Sequence, residues 1–66
     1  MINIEKISGG FEMNSTKYEL KTKVDVYNDT QCVVETDQGY IFIDTSITIG
    51  GNSYENVNDM IDYLKS

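Results

Sequence analysis

The sequence predicts an α+β domain: an antiparallel sheet of four or five strands, arranged as a meander, with one C-terminal amphipathic helix on one face. Three observations predict it. Residues 17–27 alternate apolar and polar with a period of two, the signature of a half-buried strand. Short turn clusters, Gly9-Gly10, Asn14-Ser15-Thr16, Asn28-Asp29-Thr30 and Asp37-Gln38-Gly39, recur between apolar runs. After Gly50-Gly51 the period changes, and Tyr54, Val57, Ile61 and Leu64 recur at helical spacing.

Taken in order, residues 1–8 alternate through Ile2 and Ile4, and Gly9-Gly10 supplies the positive-φ freedom of a turn or bulge. Phe11 and Met13 continue the alternation until Asn14 breaks it. In the next strand Tyr18, Leu20, Thr22, Val24 and Val26 face one way. Lys17, Glu19, Lys21, Lys23, Asp25 and Tyr27 face the other. Residues 31–36 and 40–45 form a hairpin around Asp37-Gln38-Gly39. Residues 46–49 suit a short last strand. Asn52 or Ser53 is expected to cap the helix, with Glu55 three residues after Asn52. Its apolar stripe is about 120° wide, with Met60 on the flank.

Sixty-six residues make one domain over 1–66, with a thin stability margin. Cys32 is the only cysteine and there is no histidine. An internal disulfide and a zinc cluster are therefore excluded, which leaves self-association, as a homodimer, as the remaining staple. No EF-hand spacing is present, and neither metal nor cofactor is expected. Cys32 has no nearby base to activate it and reads as a small buried apolar residue. So small a domain has little room for an enclosed pocket. The expectation is a protein that is not an enzyme, with no catalytic residues.

Ala, Arg, Pro, His and Trp are all missing. The first three have GC-rich codons, so a low-GC genome is inferred, such as a Gram-positive bacterium or its phages. No signal peptide or membrane span is visible. The expected location is the cytoplasm, or the host cytosol for a phage protein, and the two Asn-x-Ser/Thr matches at Asn14 and Asn28 are then accidental.

Charge is the feature that bears on function. Residues 1–24 hold four lysines against three glutamates, a balance of +1; from Asp25 onward eight carboxylates face Lys65 alone, a balance of −7. Such a field favours basic protein surfaces and disfavours nucleic acid and anionic lipid. On the expected helix Glu55, Asp59 and Asp62 fall at i, i+4 and i+7, in one row away from the apolar stripe. Like charges at that spacing cost about 0.2–0.5 kcal/mol per pair. The row serves either as a solvated face or as a mimic of consecutive phosphates. Tyr63 stands beside it, where a rigid ring suits an interface; the competing expectation folds the ring down over the sheet edge or a partner. Asp29 and Asp37 are outlying candidates that also have an ordinary role as turn residues.

Three functional classes follow. One is an inhibitor whose acidic site (Glu55, Asp59, Asp62, Tyr63, Asp29 and Asp37) occupies the basic surface of a nucleic-acid-handling enzyme. In size, charge and inferred origin the chain is similar in type to the small anti-defence proteins of phages, such as anti-CRISPR proteins and DNA mimics; no motif assigns it to a known family. The second is a homodimeric assembly module. The third is a single-strand nucleic-acid-binding domain of ββββα order, which the −6 net charge opposes.

Overall fold

The computed structural model describes residues 2–66. It contains β1 (Asn3–Ile7), β2 (Gly10–Met13), β3 (Thr16–Asn28), β4 (Gln31–Thr36), β5 (Gly39–Asp44), β6 (Thr48–Ile49) and α1 (Val57–Lys65). The α+β class and the C-terminal helix are as expected; Met1, where the first strand was expected to begin, lies outside the described residues. The sheet has six strands in the order β5-β4-β3-β2-β1-β6. The first five form the antiparallel meander. The short last strand expected over residues 46–49 is β6, which departs from the antiparallel meander by lying parallel to β1, with Asn3 opposite Thr48 and Ile4 opposite Ile49.

The hairpins follow from local chemistry. Asn14 and Ser15 both have positive φ, 52° and 66°, as the tightest turn between right-twisted strands requires. Asn28 Oδ1 accepts from the N–H and the Oγ1 of Thr30, both at 2.9 Å, so the β3–β4 turn is held by its own side chains. At the β4–β5 turn Thr36 Oγ1 accepts from the Gln38 N–H (3.1 Å) and donates to the Gly39 carbonyl (2.7 Å).

Chain connectivity forces the sheet to curl. Five strand spacings separate β5 from β6, roughly 24 Å in a flat sheet. Residues 45–47 join them, and four Cα steps reach at most about 14 Å. The bend is placed in β3, which pairs with β2 through Thr16–Glu19 and with β4 from Leu20 to Asn28. Its register slips between Leu20 and Val24 and again between Val26 and Asn28, and such bulges increase local twist. The resulting body measures 24 × 24 × 20 Å.

One face of the curled sheet carries the core. Ile4, Phe11, Cys32, Val34, Ile43 and Ile49 meet Val57, Met60, Ile61 and Leu64 of α1, and all are buried. Among the described residues no buried side-chain nitrogen or oxygen lacks a hydrogen bond, because Thr36 bonds within its turn and Thr48 Oγ1 donates to Asn3 Oδ1 at 2.7 Å. Among the described residues no helix is long and apolar enough to cross a membrane.

Candidate functional site

The helix begins later than its sequence suggests. Asn56, with extended φ and ψ of −142° and 132°, is the N-cap, and its Oδ1 accepts from the Asn58 N–H at 2.8 Å. Asn52 is instead committed to a tight turn, exchanging 3.0 Å backbone bonds with Ile49 across Gly50-Gly51. Glu55 therefore precedes the cap, and the expected three-membered helical row contracts to Asp59 and Asp62, one turn apart. Asp59 sits in the first turn, where a carboxylate is stabilised by the helix dipole by about 0.3–1 kcal/mol.

The backbone carbonyl of Asp29 accepts from the Val57 N–H at 2.7 Å. This bond satisfies one of the helix's open donors and docks α1 against the β3–β4 turn. Asp29, Glu55 and Asp59 thus share one end of the molecule, and all are exposed there. Asp62 extends this group along the exposed face of α1.

The other two candidates are placed differently. Asp37 lies in the β4–β5 turn, at the opposite end of β4 from Asp29. Its Oδ1 accepts from the Glu19 N–H at 2.8 Å and its own N–H donates to the Glu19 carbonyl at 3.1 Å. That pair ties the turn to β3 where β3 bends, so Asp37 has a structural role. Tyr63 folds down: its ring stacks on Tyr54 at 6.2 Å, and Lys6 Nζ stands 5.8 Å from its centroid. It remains 42% exposed and borders the acidic end.

A second surface comes from the face of the sheet that α1 does not cover. Tyr27, Tyr40 and Phe42 are 65%, 60% and 50% exposed. Asp25, Val33 and Phe42 lie in one row across β3, β4 and β5, with Glu35 beside Tyr40 and Asp44 opposite Gln31. Tyr40, Phe42 and Asp44 fall at alternate positions of β5 and so share one strand face. Both phases of β5 are apolar, Tyr40 and Phe42 against Ile41 and Ile43, so alternation alone does not say which pair is covered.

Two open clefts flank β3. The larger, about 680 Å³, lies between Leu20 and Thr22 of β3 and Leu64 and Lys65 of α1; the smaller, about 410 Å³, is lined by Ile7, Lys17, Tyr18 and Asp37. Neither lining contains a thiol, and the chain has no histidine. Among the described residues no three carboxylate or thiol groups converge as metal ligands.

Cys32 is buried, and burial pushes its thiol pKa up. Because the unfolded chain releases that proton first, the stability linked to the neutral thiol is complete below the ordinary thiol range. It is lost as pH rises through that range toward the raised value. The stability advantage of the native protein over Cys32→Ala is expected to shrink between about pH 7 and 10, as urea midpoints measured across that interval will show. A constant difference would contradict the burial of a neutral thiol.

No known protein family, no characterised protein and no solved structure matches this chain.

Proposed function

We propose that this chain is a non-enzymatic, protein-binding inhibitor, encoded by a phage or mobile element. In this reading its acidic surface occupies the basic nucleic-acid-binding site of a larger protein such as a host defence nuclease. One observation carries the reading. Among the described residues the single ion pair is Lys21 with Glu19, at 3.8 Å. None of the eight carboxylates from Asp25 onward is paired with a lysine. Asp37 and Asp44 hold the backbone amides of Glu19 and Ser46 through Oδ1, whereas the carboxylates of Asp29, Glu55, Asp59 and Asp62 stand exposed at one end and on one helix face. Such a surface gives fast, salt-sensitive association with a cationic partner.

The test is capture from lysate of a low-GC bacterium, followed by nucleic-acid cleavage assays on the purified partner. Retention at about 0.1 M salt, release near 1 M, and loss of cleavage on adding this protein are the expected results. The double variant Asp59→Asn/Asp62→Asn is expected to weaken binding about fivefold or more, mainly by slowing association. Unchanged affinity would remove the helix row from the site, and a captured enzyme that cleaves at full rate would remove inhibition.

A further inference from the structure

We infer that the free edge of β5 is a second docking site, which takes an extended segment of a partner protein carrying lysine or arginine at alternate positions. The inference shares with the proposed function the premise of a basic partner and rests on that reading for nothing else. β5 ends the sheet and pairs on one side only, with β4. Thr36 and Gly39 close a two-residue loop and face each other, so they form a hydrogen-bonded pair, and such pairs alternate along an antiparallel ladder. Val34–Ile41 and Cys32–Ile43 are therefore bonded, while Tyr40 and Phe42 direct their N–H and C=O groups away from β4. No other backbone bond among the described residues uses those groups.

An edge of this kind is usually protected. Lysine, proline or a bulge on the strand is the common device, and β5 has none: its sequence is Gly-Tyr-Ile-Phe-Ile-Asp and its register to β4 is unbroken. The side chains beside the open groups are the exposed rings of Tyr40 and Phe42. Asp44 follows them on the same face, with Glu35 and Asp25 one and two strands behind. An added strand places every second side chain over this face at about 6.8 Å intervals. Aromatic faces attract cations, and carboxylates accept charge-assisted bonds from guanidinium or ammonium groups. Main-chain pairing supplies affinity and the alternate side chains supply selectivity, as in strand addition generally. The charge also argues against a second copy as the occupant, since each copy carries a net charge of −6 and brings Asp25, Glu35 and Asp44 to this same face.

The experiment uses the intact 66-residue chain and a synthetic peptide of roughly ten residues, alternating arginine and threonine. Amide hydrogen exchange is read residue by residue at low salt, with and without the peptide. The expected result is protection of the Tyr40 and Phe42 amides by about tenfold or more. Tyr40→Ala/Phe42→Ala is expected to weaken peptide binding roughly 30-fold, as loss of an aromatic anchor does. A chemically synthesised chain with N-methyl-phenylalanine at position 42 keeps the ring and removes one outward donor. It is expected to fold, by circular dichroism, and to bind more weakly than the native chain. Absence of peptide binding, or protection that spares Tyr40 and Phe42, overturns the inference. Perturbation confined to Asp59 and Asp62 does so too, while leaving the acidic-face reading intact. Protection of the same two amides without peptide, growing with protein concentration, overturns it in favour of self-pairing.

Discussion

Replacing Gly10 with alanine is expected to cost at least about 3 kcal/mol, the upper end of overpacking penalties, and to leave much of the chain unfolded at 25 °C. A Cβ at Gly10 would lie 1.9 Å from the Tyr18 carbonyl oxygen and 2.9 Å from its carbon. Both atoms belong to the backbone of the neighbouring strand, so no rotamer change relieves the overlap. β2 and β3 must separate, and β2 carries Phe11 into the core. A chain of this length has a total stability of about 3–10 kcal/mol, so one such loss consumes much of it. Gly9 is the informative control. Its φ is +78°, and a Cβ there would meet nothing within 4 Å, so Gly9→Ala incurs only the left-handed penalty of about 1–2 kcal/mol. Urea unfolding followed by circular dichroism separates the two. A Gly10→Ala protein as stable as Gly9→Ala would show that the strands do not approach as closely as described.

Phe11→Ala is the second large effect. Phe11 has no exposed surface, and its ring stacks on Tyr18 at 5.2 Å with 23° between planes. It is among the largest fully buried side chains, in a core completed by α1. Truncating a buried phenylalanine costs about 3–5 kcal/mol through lost burial and the cavity left behind. At about 4–8 °C per kcal/mol for a domain of this size, the melting temperature is expected to fall by more than about 12 °C. Phe42→Ala, on the uncovered face, is expected to change stability by less than about 1 kcal/mol, because half of its surface is already in water. Comparable losses from the two substitutions would mean that the covered and uncovered faces of the sheet have been exchanged.

Much of this core is legible in the residues themselves. The phase of β3 points Leu20 and Val24 inward, and Val57, Ile61 and Leu64 of the helical stripe are buried as their spacing predicts; Met60, expected on the flank, is fully buried, and Tyr54 lies before the helix, half-buried. Cys32 follows its strand phase into the interior. The candidate site was less legible. Asp29 reaches the acidic end only because its carbonyl meets Val57, a contact between residues far apart in the chain. Asp37 reads identically to Asp29 as a turn acid, yet its carboxylate is committed to the Glu19 backbone. Glu55 left the helical row because Asn56 offers a cap with a bonded side chain, whereas Asn52 was drawn into the turn after β6. These outcomes depend on which distant partner each polar group finds.

Local order was therefore determined by the sequence alone: the turns, the alternation of β3 at Tyr18, Leu20 and Val24 (Thr22 and Val26, expected on the same face, are exposed beside the register slips), the apolar stripe of α1 and the division of charge at Asp25. Each of these arises from dihedral preferences and periodicities acting over a few residues. Tertiary structure decided the rest. Asn3 Oδ1 accepts from Thr48 Oγ1 at 2.7 Å and from the Gly51 N–H at 2.8 Å. Together with the backbone bonds from Thr48 to Ile2 and from Gly50 to Ile4, this sets β6 parallel to β1. That pairing, joined to the short reach of residues 45–47, obliges the sheet to curl. The curl and the docking of α1 on Asp29 choose which face is covered. Contacts between residues more than forty positions apart form only when the whole chain closes, since no local hydrogen bond or periodicity encodes them. The same closure leaves Tyr40 and Phe42 outside on a free edge, with the acids of Asp29, Glu55 and Asp59 gathered at one end.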